Sequence, residues 1–402
     1  MTPPPSSINE TPVFPTELAK PNSARPDIGF GRIAVFVSVA SMILLIANGF
    51  VCATWSHFFG MTGWLSWQFI PGSLALTFIM STIVGFRFSN PLLRIVYAVS
   101  ALWLGMLNFG FFAAAACWIV DGIVWLMGSP IPHFYLAAIL FGVAFFVAIY
   151  GLINAAWLRT TQVNVALPNL PEVWQGRTVA LLTDLHLGHI SGPVFLSRIL
   201  AKLRSMHPEA VLISGDLFDG TTVGANELVA GWRGFSARQG VFYIAGNHDD
   251  FGGRRIFLDA VNRTGIRVLN NEKVSIEGLQ IVGVHDSEAE DPSKLRDILR
   301  QARLDPEFPS ILLAHRPTNL SVAEEEGISL QLSGHTHQGQ MWPWNLLVSR
   351  IYERFAYGLN RLGTMWVYTS SGAGTWGPPL RVGTKSEIVL IKFEKPCTNN
   401  KT

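Results

Sequence analysis

The chain has 402 residues, 49% of them hydrophobic and 14% charged, with a formal net charge of +2 and a mean hydropathy of +0.31. A soluble domain carries about a quarter charged residues, so a single soluble globule is excluded, and so is a disordered chain, which needs high charge and low hydrophobicity. A balance this near neutral supplies no basic face for a nucleic-acid partner, and none is expected.

Residues 1–27 are rich in proline, hold no apolar periodicity and are expected to form a disordered tail, too long and polar to begin a cleavable signal peptide. A membrane region is expected over 28–158. Between Ile33 and Leu158 the only Lys, Arg, Asp or Glu residues are Arg87, Arg94 and Asp121. Four apolar runs, 33–55, 67–86, 95–120 and 134–158, are each long enough to span a bilayer, which takes about 20 residues. Lys20, Arg25, Arg32, Arg87, Arg94 and Arg159 all fall on one side of these spans, while the loops 56–66 and 121–133 contain no Lys or Arg. The positive-inside rule therefore predicts a multi-pass protein of the cell (inner or plasma) membrane, with everything after Leu158 in the cytoplasm. No ionisable residue lies at mid-depth, which argues against transport. Cys52 and Cys117 lie in apolar runs and Cys397 near the end, so no disulfide framework or cysteine-rich zinc site is expected.

From Arg159 short apolar strands alternate with amphipathic helices, an α/β pattern expected to run over 159–394 with a flexible tail at 395–402. Strands are predicted at 178–183, 210–214, 241–245, 266–269, 311–314, 330–333, 365–369 and 387–393, and a hairpin over 274–284 turning at Glu277-Gly278. Helices are predicted at 194–206, 225–235, 254–263 and 294–302.

Five blocks come directly after predicted strand ends: Asp184-Leu185-His186, Gly215-Asp216-Leu217-Phe218-Asp219, Gly246-Asn247-His248-Asp249, His315, and Gly334-His335-Thr336-His337. Strand carboxyl ends are where α/β sheets place their sites. In extended backbone, residues i and i+2 point to one side, so Asp184 with His186, and His335 with His337, are each expected to deliver two groups to one point. Gly215, Gly246 and Gly334 stand where the chain turns tightly or closely approaches something. Singly, each block reads as a turn or a satisfied core histidine; five in order read as a metal site. Carboxylate, carboxamide and imidazole donors together suit Mn, Fe, Co or Zn and fit Mg or Ca poorly. Six or more candidate ligands are too many for one tetrahedral ion, which points to two.

The series D-x-H, G-D-x-x-D, G-N-H-D, H, G-H-x-H resembles the calcineurin-like metallophosphoesterase superfamily over about 160–394. The resemblance implies a four-layer αββα sandwich of two mixed sheets flanked by helices. It implies Asp184, His186 and His337 on one metal, Asn247, His315 and His335 on the second, and Asp216 bridging both. It further implies that His248 meets the substrate as electrophile or general acid, oriented by Asp219. The cofactors expected are two divalent ions, manganese first, with iron, zinc or cobalt as alternatives, activating a bridging hydroxide for in-line attack on phosphorus. Protein Ser/Thr phosphatases of the superfamily have Arg-Gly after the second block and Glu after the histidine of the third. Here Gly220 and Asp249 stand there, which argues against that activity. The wording around the site, LPNLPEVWQGRTVALLTDLHLG and GAGTWGPPLRVG, is instead similar to the bacterial membrane-associated branch. Some members of that branch resemble enzymes cleaving the pyrophosphate of UDP-2,3-diacylglucosamine.

The segment 341–362 combines Trp342, Trp344, Leu346, Leu347, Ile351, Phe355 and Tyr357 with Arg350, Arg354 and Arg361. It is expected to pack on the domain's own sheet, with a place in the lipid headgroup region as the alternative. Arg381 is expected at the surface, with a contact to an anionic substrate as the alternative. The function expected is a membrane-bound hydrolase of a phosphodiester or pyrophosphate bond, the bilayer and a lipid-linked substrate being its partners. A soluble phosphodiester is the in-class alternative, and a transporter or sensor with a non-catalytic metal domain is the rival from another class.

Overall fold

The computed structural model describes residues 30–61, 69–129, 131–221, 224–251 and 253–396. The two expected tails therefore lie almost wholly outside the described residues. Among the described residues, four apolar helices come first: α1 (Phe30–Phe59), α2 (Phe69–Gly85), α3 (Pro91–Leu126) and α4 (His133–Ala156). α3 starts where Asn90 caps it, accepting from the Leu93 N–H at 2.8 Å, and Pro91 supplies the first-turn φ. α1, α3 and α4 each contain a stretch long and apolar enough to cross a membrane. α2 has 17 residues, about 25 Å at the helical rise, so three of the four expected spans reach full spanning length among the described residues. The small residues Ala113 and Ala114 are buried, Ala114 in one cluster with Val51 of α1.

Past α4 comes β1 (Leu158–Ala166), then β2 (Thr178–Leu182), α5 (Pro193–Met206), β3 (Ala210–Ser214), α6 (Ala225–Val229), β4 (Val241–Ile244), α7 (Asn247–Phe251), α8 (Arg254–Asn262) and β5 (Arg267–Val268). The second half holds β6 (Glu272–Ile276), β7 (Leu279–Val284), α9 (Asp286–Ala289), α10 (Pro292–Gln301), β8 (Ser310–Ala314), α11 (Leu320–Glu325), β9 (Leu330–Ser333), α12 (Trp344–Tyr352), β10 (Gly358–Leu362), β11 (Met365–Thr369) and β12 (Ser386–Glu394). Two six-stranded mixed sheets result, ordered β1-β12-β2-β3-β4-β5 and β10-β11-β9-β8-β7-β6.

Alternation along the strands fills three cores. Val179, Leu181, Leu212, Phe242 and Ile244 of the first sheet meet Ile281, Ile311, Leu313, Leu330 and Leu332 of the second. The intervening Ala180, Leu182, Val211, Ile213 and Tyr243 face Leu196, Ile199, Leu203, Phe257 and Val261 of α5 and α8. Val282, Leu312 and Val367 on the far face of the second sheet meet Leu295 and Leu299 of α10 and Ala323 of α11. Sheets covered on both faces make their strands continuous apolar runs, and each run predicted from 210–214, 330–333 and 365–369 matches its strand to the residue.

Four local expectations are corrected. Leu158 belongs to β1 and not to the fourth apolar run, because β12 pairs in parallel along all nine residues of this polar segment. The helix expected over 225–235 is α6 and then a 3-10 turn, Ala230–Gly234. Residues 358–362 form an edge strand, β10, paired antiparallel to β11. α12 does not pack on the sheet: none of its residues is buried, and Trp344, Leu346, Leu347 and Ile351 are exposed.

The end of the sandwich that carries the predicted blocks is seated on the apolar helices. Asn154 of α4 donates to the carbonyls of Arg381 and Thr384, both at 2.8 Å. Leu380 packs against Gly105 of α3, where a Cβ would strike its side chain, and against Gly151 of α4, where a Cβ would strike Val382 and crowd Leu380. Asn108, midway along α3, donates to the Trp342 carbonyl at 3.0 Å and accepts from Trp344 Nε1 at 2.9 Å.

Candidate metal centre

Each predicted block lies just past a strand end: Asp184 and His186 after β2, Asp216 and Asp219 after β3, Asn247 and His248 after β4, His315 after β8, and His335 and His337 after β9. Those strands come from both sheets, and their carboxyl ends converge. Seven of the nine predicted residues fall in three overlapping groups, Asp184–His186–His337, His186–Asp216–His248 and Asp216–His315–His335. Asn247 joins them through His335, and Asp219 through its carbonyl against His248.

The means of convergence differs from the extended spacing expected. Asp184, His186, Asp216, His335 and His337 all have positive φ, between 47° and 68°. Left-handed backbone at non-glycine residues costs on the order of 1–3 kcal/mol each and clusters at functional sites. The chain therefore turns sharply at each of these five positions. His335 and His337 go to different groups, not to one point.

Three glycines make the crowding possible. A Cβ on Gly246 would strike Asp216 Oδ1 and the Asp216 N, one on Gly334 would strike Thr183 Oγ1 and Asp184 Oδ2, and one on Gly215, whose φ is +94°, would strike the His315 ring.

In the first group His337 Nε2 lies 3.0 Å from His186 Nε2 and 3.3 Å from Asp184 Oδ1. In the group of Asp216, His315 and His335, His315 Nε2 lies 3.1 Å from Asp216 Oδ2, while His335 Nδ1 lies 2.9 Å from Asn247 Oδ1. Asp216 Oδ2 also stands 3.8 Å from His186 Nε2, so this one carboxylate faces both groups. His315 Nδ1 lies 2.8 Å from the Ser214 carbonyl, a contact only a donor can make, which leaves Nε2 with the lone pair in the neutral ring.

Electrostatics separate the members. Burial holds His186 and His337 well below the ordinary imidazole range, and burial with the nearby His315 and Arg316 charges takes His335 down to about 3. Burial would lower His315 too, but Asp216 beside it prevails and raises it to about 10. Burial raises Asp184 to about 6, against the pull of His315. Asp216, though buried, is held well below the carboxylate range by His315 and His248. Neutral imidazole nitrogens packed against carboxylate oxygens at these distances suit shared cations: tetrahedral ligands on a 2.0–2.1 Å ion are about 3.3 Å apart. The donor set thus fits divalent ions of the Mn, Fe, Co and Zn group.

His248 donates its backbone N–H to Asp216 Oδ1 at 2.9 Å, and its ring lies 4.8 Å from the His186 ring. The orienting contact expected from the Asp219 carboxylate is made instead by the Asp219 carbonyl, 3.4 Å from His248 Nδ1. The carboxylate accepts the backbone N–H groups of His189 at 3.0 Å and Thr221 at 2.8 Å and fixes that loop.

Arg381 is fully buried, not at the surface. Its guanidinium donates to the carbonyls of Ser371 at 2.6 Å and Gly374 at 2.7 Å, and reaches His337 Nδ1 at 3.3 Å. Two residues of the site carry no sequence expectation of function. Thr183 donates to Asp184 Oδ2 at 2.7 Å. Asp249 accepts from Gly246 N at 2.8 Å and Phe218 N at 2.9 Å, locking the second and third blocks together. Its place inside the Gly-Asn-His-Asp block is the signal that could have found it.

The mouth is apolar and borders the membrane helices. Phe251 and Trp376 flank His248 at ring distances of 4.8 and 5.4 Å, and Phe86, just past α2, lies 6.3 Å from Phe251. Tyr352, which ends α12, sits 6.3 Å from His335. His189 Nε2 lies 3.1 Å from the carbonyl of Gly85, the last residue of α2.

Residues 177–339 match the family described as calcineurin-like phosphoesterase. A Campylobacter jejuni protein named an uncharacterized metallophosphoesterase is 33% identical over 250 residues, 61% of this chain and 66% of that one. A Helicobacter pylori protein of the same description is 35% identical over 219 residues, 54% of this chain and 59% of that one. The Danio rerio transmembrane protein with metallophosphoesterase domain is 32% identical over 268 residues, 62% of this chain and 60% of that one. The chain thus spans about three fifths to two thirds of the length of the curated relatives it matches.

Proposed function

From a chain that carries a calcineurin-like metallophosphoesterase domain, we propose a membrane-anchored, metal-dependent hydrolase of a phosphodiester or pyrophosphate bond in a lipid-linked substrate. UDP-2,3-diacylglucosamine is the first candidate. Asp184, His186 and His337 hold one divalent ion, and Asn247, His315 and His335 the other, with Asp216 shared. Manganese is the ion proposed. When bound, such a pair lowers the pKa of water and polarises phosphoryl oxygens.

The chain's own residues do the rest. Asp216, kept ionised, faces both ligand groups at once. His248 stands at the apolar mouth and stabilises or protonates the leaving oxygen, a task suited to imidazole. Asp219 places His248 through its carbonyl and the loop through its carboxylate. Phe251 and Trp376 keep bulk water from the leaving group.

The lipid-linked reading rests on one observation: the exposed apolar side chains of α12 run from the middle of α3, at Trp344, to the edge of the site, at Tyr352. An acyl chain lying along that face delivers its headgroup to the mouth. In this reading α2 is a fourth, short span, since 17 residues fall at the lower limit for crossing. The membrane region then covers 28–157 and the hydrolase domain, beginning with β1, 158–394. That domain lies, in this reading, on the cytoplasmic side of the cell membrane, which the clustering of the basic residues on one side of the spans supports.

The test is release of UMP from UDP-2,3-diacylglucosamine by detergent-purified full-length protein with manganese, beside the Asp216→Asn protein as blank. Metal-dependent release confined to the wild type is expected. Failure with that substrate, by protein that still hydrolyses bis(p-nitrophenyl) phosphate, would discard UDP-2,3-diacylglucosamine and keep the phosphoesterase, moving the search to other membrane phosphodiesters. Failure with both, by folded and metal-loaded protein, would discard both.

A further inference from the structure

A second set of metal-ligand side chains lies far from the site described above. His57 in the last turn of α1, Asp121 near the end of α3 and His133 at the start of α4 converge, their ligating atoms all within 4.8 Å of one another. His133 Nε2 lies 3.0 Å from Asp121 Oδ1. The rings of His57 and His133 stand 5.1 Å apart, with His57 stacked on Trp118 at 4.8 Å and Phe58 against His133 at 5.1 Å. This is the end of the bundle away from the phosphoesterase domain. Asn154, which binds that domain, lies about 30 Å farther along α4 by helical rise.

The composition of the bundle gives the grouping its weight. Between residues 33 and 158, His57 and His133 are the only histidines and Asp121 is the only acidic residue. An ion pair would account for Asp121 and His133 alone. It leaves unexplained why the remaining histidine, from a third helix, arrives at the same point.

We propose that His57, Asp121 and His133 bind a divalent transition-metal ion, zinc being the type, separate from the phosphoesterase centre. Two imidazoles and one carboxylate form a donor set of borderline softness, suited to zinc, copper or nickel. Three protein ligands leave one tetrahedral position open to water. Ligands on a zinc ion sit about 3.3 Å apart, so the trio closes by about 1.5 Å at its widest when loaded. The partial exposure of Asp121 and His133 gives an ion a route in. One ion so held ties together the ends of α1, α3 and α4.

Zinc content is measured on detergent-purified full-length protein, wild type against His57→Gln/His133→Gln, after equilibration at low micromolar zinc. The variant is expected to lose about one zinc per chain while keeping its bis(p-nitrophenyl) phosphate hydrolysis. Equal zinc in both proteins would overturn the proposal. A second measurement needs no variant: diethylpyrocarbonate labelling of wild-type protein, mapped by mass spectrometry. Zinc is expected to protect His57 and His133 several-fold while His207, outside both groups, labels as before. Labelling of His57 and His133 that zinc leaves unchanged would overturn the proposal as well.

Discussion

His315 Nε2 stands 3.1 Å from Asp216 Oδ2, and both side chains are shut away from solvent. This contact joins the two sheets, since Asp216 comes after β3 of one and His315 after β8 of the other. Asp216 also faces His186 at 3.8 Å, so both ligand groups draw on this carboxylate. Asp184 Oδ1 reaches across too, but stands 4.0 Å from His315. Asp216→Asn is expected to cut phosphodiester hydrolysis at least about a thousandfold, some 4 kcal/mol of barrier. Bound metal per chain should fall with it. Near-normal turnover in this variant would refute a shared ligand.

Gly246 contributes no ligand, yet its substitution should act on the metal centre. A Cβ there meets Asp216 Oδ1 and the Asp216 N, so the carboxylate or its backbone must move. Overpacking of this kind costs about 1–3 kcal/mol, and a displaced ligand loses about 10–100-fold in metal affinity. Gly246→Ala should therefore need more metal for half-maximal activity, whereas Gly234→Ala, with open space around it, should not. A metal titration of the two proteins decides it.

The metal blocks are legible in the sequence because their strands are. β2, β3, β4 and β8 are covered on both faces and are almost wholly apolar, while β9 is buried throughout although Gln331 and Ser333 alternate with its leucines, and the residues next after each run must lie at the strand end. The edge strands are not legible. β1 and β10 hydrogen-bond on one side only and are largely half-exposed, so Arg159-Thr160-Thr161-Gln162 carries no apolar signal. Arg381 escapes the sequence for another reason: its partners are mostly main-chain carbonyls, and a carbonyl leaves no trace in the residue type. The left-handed turns at Asp184 and His186 are hidden likewise, since glycine is the residue that announces positive φ, and here ligands occupy those positions.

His285 supplies a pH dependence away from the ligands. Its Nδ1 accepts the Ala245 N–H at 2.9 Å, so in the neutral ring Nε2 carries the proton and donates to Asn270 Oδ1 at 3.0 Å. Protonating Nδ1 would set two donors face to face. Burial accordingly takes its pKa down to about 3, against 6.5 ordinarily. The folded state then binds fewer protons than the unfolded state below pH 6.5. The contribution is fully present above that pH and is lost as pH falls toward 3, on the order of 5 kcal/mol over the whole range. His285→Gln should be less stable than wild type at pH 8 but lose less on going to pH 5. Parallel melting curves across that range would contradict the argument.

Leu380 ties the hydrolase domain to the membrane helices through the notch at Gly105 and Gly151. Gly105→Leu fills that notch without removing any polar contact, so the helix should persist while the 378–382 loop is displaced. Hydrogen exchange should report faster exchange there, by about tenfold or more, with the strands of both sheets protected as before. Unchanged exchange at 380–382 would mean that the domain is held by other contacts.

Trp342 and Trp344 test how a substrate reaches the site. Both are exposed, yet Trp342 also meets Phe112 of α3 edge-on at 5.0 Å, so the pair lies at the depth of the apolar helices. Burying one such side chain in an apolar phase is worth about 1.5–3 kcal/mol, and the hydroxyl of serine recovers none of it. Trp342→Ser/Trp344→Ser should lower the rate on a micellar lipid-linked substrate by about tenfold or more, mainly by raising KM. Hydrolysis of soluble bis(p-nitrophenyl) phosphate should be unaltered, because neither side chain is among the ligands or at His248. Equal losses on both substrates would indicate that the tryptophans support the fold, and no loss on either would remove α12 from the route to the site.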